Sequence, residues 1–196
     1  MNKDNIKVTA FANTGYNEVG WFYPSTGSNV CDKMVVYNYV EQAWSISELA
    51  RDSWDDAGAS ADLPIAVKTS AGAGYLYEHE TGFNDDGQPL SAFIETADFD
   101  VADGDRFAFI RRLLPDLSFV GTSTNPTLTY SLKSRNNSDG TLTTQSSVDV
   151  SNTTDFVMAN VRARARQMRV RIESTDEDNG WRLGDVRLDV RVDGRR

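Results

Sequence analysis

Cysteine and histidine are nearly missing from this chain: its 196 residues hold one of each, Cys31 and His79. A lone cysteine excludes an intramolecular disulfide and any cysteine-cluster zinc site. A lone histidine confines Ser–His–Asp or Cys–His chemistry to position 79, and no G-x-S-x-G elbow is present to carry a nucleophile for it. His79 reads as a structural or surface residue, and Cys31 as a small packing residue after a polar turn. Phosphate-loop and dinucleotide signatures are also lacking, since "SAGAGYLY" is followed by no helix. No cofactor is expected, and nothing argues for an enzyme. Long apolar runs are lacking too. None approaches the roughly 18 residues of a membrane helix, and "MNKDNIKVTA" has no apolar centre of a secretion signal. These absences lead us to expect a soluble protein, made in a reducing cytoplasm and not inserted into a membrane.

What is present supports a folded protein. Hydrophobic residues make up 39% of the chain, enough to bury a core, and the length fits one domain or two small ones. The net charge of -9 is unevenly spread. Met1–Asp105 carries 5 Lys/Arg against 18 Asp/Glu, a net of -13, and Arg106–Arg196 carries 15 against 11, a net of +4. Two differently charged halves permit head-to-tail subunit contacts.

Helical periodicity is scarce. Short aromatic and β-branched runs separated by Gly, Asn, Asp and Ser read as strands and turns, so the class is all-β. Strands are expected near Ile6–Ala12, Glu18–Tyr23, Met34–Val40, Ala43–Glu48, Ile65–Thr69, Gly74–Glu78, Ser91–Phe99, Asp105–Leu114, Thr127–Ser134, Thr141–Asp149, Asp155–Arg166, Met168–Glu173 and Trp181–Val192. Ile46–Ser53 is the one stretch that fits a helical turn. Residues 1–88 hold three of the four tryptophans and a strand–turn–Trp cadence resembling one or two β-propeller blades. A closed propeller takes about four to eight blades of roughly 40 to 50 residues, so this segment cannot close one alone. Residues 89–196 carry longer alternating strands that suggest an antiparallel β-sandwich-like domain.

The most distinctive stretch is "VRARARQMRVRIES". Alternation puts Arg162, Arg164 and Arg166 on one face, opposite Val161, Ala163 and Ala165. After Gln167 the phase flips, setting Met168, Val170 and Ile172 against Arg169 and Arg171, so a bulge or tight turn is required there. Three uses are open. Cross-strand Arg–carboxylate pairs on a solvated face are favoured over a phosphate-binding stripe, because no aromatics interleave the arginines and the chain is acidic overall. Contact with the acidic half of a neighbouring subunit is the third.

Two acidic turns invite a cation test, "FNDDGQ" and "ETADFDVADGDR". Asp98, Asp100, Asp103 and Asp105 are the calcium candidates of the second. Ala102 takes a ligand place in the EF-hand spacing, and Asp-Gly turn chemistry explains the residues more simply. Trp54, Tyr75 and Tyr77, with Asp85 and Asp86, suit a carbohydrate- or receptor-binding module, which is the rival reading. A glycan hydrolase using paired carboxylates is a weaker one.

Taken in order, "EVGWFYPS", "MVVYNYVEQAWS", "RDSWDDAG", "YLYEHETGFNDDG", "FIETADFDVADGDRFAFIRRLLPD", "RQMRVRIES" and "WRLGDVRLDVRVDGRR" resemble the C-terminal part of tail hub or nozzle proteins of short-tailed bacteriophages, from about Glu18 to Arg196. The resemblance implies a non-enzymatic virion protein and a homo-oligomeric ring, usually of six subunits, that forms part of the conduit for DNA ejection. It further implies other tail or portal-adaptor proteins as partners, non-specific contact with passing DNA, and Arg162, Arg164, Arg166, Arg169 and Arg171 as subunit-interface residues. Family members are usually several times longer, with most propeller blades upstream, so the resemblance implies a domain, a fragment, or a member whose propeller was lost or is encoded separately.

Overall fold

The computed structural model describes residues 7–58, 61–101, 104–151 and 158–194. Within them the chain is all-β, every strand pair is antiparallel, and the only helical segment is a 3-10 turn at Thr14–Tyr16. No helix among the described residues is long and apolar enough to cross a membrane. The chain divides into two compact units, Met1–Thr81 and Gly82–Arg196.

In the first unit, β1 (Thr9–Asn13), β2 (Glu18–Tyr23), β3 (Lys33–Asn38) and β4 (Ala43–Ser47) form a four-stranded sheet in chain order. Local chemistry fixes the turns. Asn17 adopts the left-handed conformation between β1 and β2, and Gln42 does so before β4. The Asn38 carboxamide oxygen accepts the amides of Val40 (3.1 Å) and Glu41 (2.9 Å), an Asx arrangement that starts the β3–β4 reversal. One face buries Phe22 and Val36. On that face Phe11 lies over Gly20, its cross-strand partner, so close that a Cβ at position 20 would stand 2.4 Å from the ring. Glycine here makes room for an aromatic side chain rather than for an unusual φ.

A second sheet follows, of β5 (Ser53–Asp55), β6 (Ile65–Ser70) and β7 (Ala73–Glu78). Trp54 projects from it towards the first sheet, with ring centres 5.1 Å from Phe11 and 6.3 Å from Phe22. The helical turn that fitted Ile46–Ser53 does not form: Ile46 belongs to β4 and Ser53 opens β5. Asp52 bridges them to β6 instead, its amide donating to the Val67 carbonyl (2.7 Å) and its carboxylate accepting the Thr69 amide (2.6 Å).

The second unit opens with a small hairpin, β8 (Asn84–Asp85) and β9 (Gln88–Pro89), turned through Asp86 and Gly87 at positive φ. It continues through β10 (Ala92–Glu95), β11 (Phe99–Asp100), β12 (Ala108–Leu114), β13 (Leu117–Phe119), β14 (Thr127–Arg135) and β15 (Thr143–Ser151). The last strands are β16 (Ala159–Ala165), β17 (Gln167–Ser174), β18 (Trp181–Leu183) and β19 (Arg187–Val192). One sheet runs β10-β17-β14-β15, with β11 also on β17, and another runs β16-β12-β19. A single buried cluster draws on both, including Ile110 and Val161 from one and Leu128, Tyr130, Met168 and Ile172 from the other.

The phase flip near Gln167 has a structural cause. The chain leaves one sheet at Ala165 and enters the other at Gln167, and Arg166 is the joint between them. Val161, Ala163 and Ala165 are buried before the joint, and Met168, Val170 and Ile172 after it. Two expected strands are broken. Ser91–Phe99 becomes β10 and β11, both on β17. Trp181–Val192 becomes β18, paired with β13, and β19, paired with β12. At that second break the Gly184 amide donates to the Asp116 carbonyl (2.7 Å), and a Cβ on Gly184 would meet the Asp116 carboxyl at 2.7 Å. The polar stretch after β14 connects it to its antiparallel neighbour β15 as a hairpin.

Candidate assembly surfaces

The arginines of β17 sit on the outer face of their sheet, among carboxylates supplied by the chain itself. Cross-strand register sets Arg171 between Glu95 on β10 and Ser131 on β14. Glu95 accepts from Lys133 Nζ (2.7 Å) and from Arg169 (3.2 Å), with Arg171 at 3.5 Å. Asp98 receives both Arg169 and Arg135. Arg171 also pairs with Glu173 (2.7 Å) and lies 3.8 Å from the centre of the Phe93 ring. The Lys133 ammonium, foremost, holds the Glu95 carboxyl below its usual range, and the Arg169 guanidinium does the same for Asp98. Four cations and three carboxylates thus form a partly buried network that ties β10 and the residues after it to β14 and β17. Interlocked pairs of this kind are worth more than isolated surface pairs.

The β16 arginines fare differently. Arg164 pairs with Asp193 (2.5 Å) and stacks 4.1 Å from the Phe107 ring, lowering the Asp193 pKa. Arg166 donates to the carbonyls of Gly104 (2.8 Å) and Asp105 (3.3 Å). Arg162 is exposed, and no carboxylate among the described residues pairs with it. Arg164, Arg169 and Arg171, by contrast, each pair with a carboxylate of the chain.

Two arginines that sequence reading passed over join it. The ladder between β12 and its neighbours slips between Ile110 and Arg112, a bulge that leaves Arg111 and Arg112 both outside the core. They line a shallow depression of about 520 Å³ with Arg162, Ser146 and Asn160. The signal was legible: "FIRRLL" puts two charges in succession inside an alternating strand, which a straight strand cannot place on one face.

Two of the four calcium candidates can be placed by their partners. Asp98 is occupied by arginines, Asp100 pairs with Gln167 on β17, and Asp103 lies outside the described residues. Among the described residues no group of three or more His, Cys, Asp or Glu side chains could hold a metal ion.

The aromatic candidates are likewise split. Trp54 is half-buried, its ring tilted against Phe11 and, at 4.6 Å, against His79. Arg51 lies 4.0 Å from the centre of the Tyr77 ring, and its Nε donates to His79 Nε2 (2.9 Å). Only Tyr75 is exposed, at 49%. The trio packs the first unit more than it presents a platform. Cys31 is buried, and that burial raises its thiol pKa.

An apolar surface does exist, on the other face of the β1–β4 sheet. Alternation and register align Ala10, Trp21, Val35 and Ile46 in one row across the strands, and Ala12, Val19, Tyr37 and Trp44 in the next. Trp44 stacks on Trp21 (6.2 Å) and meets Tyr37 at a tilt (4.7 Å). Trp44 remains 64% exposed and Ile46 76% exposed. An antiparallel sheet that covers one face usually shows water a polar second face, whereas this one is apolar on both. No family model matches the chain, and no curated protein matches its sequence.

Proposed function

We propose that this chain is a non-enzymatic structural subunit of a bacteriophage virion, part of a tail hub, nozzle or head-to-tail connector ring through which DNA passes. The observation that carries the reading is the doubly apolar β1–β4 sheet. Its inner face receives Trp54 from the β5–β7 sheet, while on the outer face Trp44 and Ile46 lie exposed beside the half-buried Trp21 and Tyr37. Successive propeller blades are sheets stacked around an axis, so we read β1–β4 as one blade and β5–β7 as part of the next. The uncovered face is then where a sheet of a second copy packs, and the unit closes by association. We read the second unit as a two-sheet antiparallel sandwich, its sheets sharing one core.

The charge distribution fits the same use. The net of -13 over Met1–Asp105 suits a lumen past which a duplex slides without sticking, because every phosphate-neutralising contact would add affinity. The family resemblance supplies the ring, usually of six copies, the neighbouring tail or portal-adaptor proteins, and residence in the virion tail after synthesis in the host cytoplasm. The test is Trp44→Glu combined with Ile46→Glu. Both side chains are exposed, so the fold is expected to survive while self-association is lost. A variant that assembles like the parent overturns the proposal.

A further inference from the structure

We infer that Arg111, Arg112 and Arg162 form a binding site for a phosphate dianion, either inorganic phosphate or a terminal phosphomonoester. Three guanidiniums line one depression on the outer side of β12 and β16. Their only described carboxylate is Asp189, 3.4 Å from Arg111 Nε and 3.9 Å from Arg112 Nε, and neither contact is a hydrogen bond. The Arg111 Nε–H is buried and makes no hydrogen bond among the described residues, the Asp189 carboxylate at 3.4 Å being its nearest charged neighbour. The Arg111 side chain as a whole is part-exposed and lines the depression, so it keeps donors to offer an anion that enters.

Charge and donor count select the ligand class. Three cations and one carboxylate leave two positive charges, which a dianion balances and a single carboxylate or phosphodiester does not. A planar carboxylate is satisfied by one or two bidentate arginines, whereas a tetrahedral oxyanion can take donors from several directions. The depression offers such directions. Ser146 Oγ accepts the Arg162 amide (3.4 Å) and keeps its own hydroxyl proton to donate, and the Asn160 carboxamide lines the same wall. The bulge in β12 builds the site by turning two consecutive arginines outward, opposite the exposed Arg162 of the neighbouring strand. This inference is independent of the assembly reading, since it concerns one subunit and none of the residues of the apolar sheet.

The experiment is calorimetric titration of the full chain with inorganic phosphate, in a buffer without other oxyanions and with about 0.1 M chloride for screening. Saturable binding is expected with a Kd of about 1 mM or tighter. It should tighten as pH rises through about 6 to 7, where the second phosphate proton leaves. Arg162→Gln, at an exposed position, should weaken it about tenfold or more with the circular dichroism spectrum unchanged, and Arg111→Gln should do the same. Acetate should not compete. Absence of saturable phosphate binding, or binding unchanged in both variants, overturns the inference. Two other outcomes overturn it by naming another occupant. Arg162-dependent binding of short duplex DNA without phosphate binding assigns the patch to phosphodiesters. Arg162-dependent self-association without phosphate binding assigns it to a neighbour's carboxylates.

Discussion

Removing a hydroxyl group should make this protein more stable. Tyr130 lies on β14 inside the second unit, 2% exposed, and its phenolic oxygen has no hydrogen-bond partner among the described residues. Burial, aided by the Asp116 charge, pushes its pKa up to about 12. Tyr130→Phe keeps the ring and its packing and deletes only the stranded polar atom. Relief of an unsatisfied buried hydroxyl is worth about 1 kcal/mol, with an upper range near 3, so the unfolding midpoint should rise by a few degrees for a unit of this size. The pH dependence gives a second readout. A phenol whose folded pKa lies above its unfolded value near 10 keeps its proton longer in the folded state. Its contribution is therefore fully present below pH 10 and is lost as pH rises from about 10 to about 12. The loss amounts to roughly 2 to 3 kcal/mol across that window, and the Phe variant should not show it. Urea melts of both proteins at pH 7 and above pH 10, followed by Trp181, the one tryptophan of this unit, make the comparison. A Phe variant destabilised by more than about 1 kcal/mol at pH 7 refutes the reasoning, because the hydroxyl must then be hydrogen-bonded.

Three further outcomes follow from particular contacts. Gly20→Ala should destabilise the first unit by roughly 1 to 3 kcal/mol, since the new Cβ collides with the Phe11 ring and stands 2.9 Å from the Val35 carbonyl; a neutral effect in thermal melts would mean that Phe11 moves aside freely. Asp98→Asn should cost roughly 1 to 3 kcal/mol at pH 7, because Arg135 and Arg169 lose the carboxylate they share. The lowered folded pKa of Asp98 gives stability that is present above the unfolded value near 4 and is lost as pH falls through the folded one. The variant should accordingly show a shallower acid limb in melts between about pH 5 and 2, and an unchanged limb counts against the network.

Much of this architecture is legible from side-chain alternation. The arginine strand declares both its faces and its phase flip, and the structure gives the flip a cause, a change of sheet at Arg166. The Trp21, Tyr37 and Trp44 strands are legible in the same way, because aromatic runs between turn residues have few alternatives to a sheet. Legibility fails where long-range contacts decide. Glu95 and Asp98 invite a cation when read locally, and only the pairing of β10 and β11 with β17 reveals that arginines 37 to 74 positions away in sequence already occupy them. Trp54 looks like a binding aromatic until Phe11 and His79 are seen against it. The break within Trp181–Val192 is similarly non-local, since it depends on Asp116 meeting Gly184. The arginine depression required two signals together, a doubled charge inside β12 and the neighbouring β16 register.

On the proposed reading, copies of this chain associate through the exposed apolar face of the β1–β4 sheet. Native mass by size-exclusion chromatography with light scattering, at low and at moderate salt, tests it most directly. Most of the arginines singled out in the sequence are already paired within the chain, and apolar burial is not screened by ions. A discrete multimer is therefore expected that persists at both salt concentrations and falls to monomer in the Trp44→Glu, Ile46→Glu variant. A clean monomer of the parent chain at every salt concentration would contradict it.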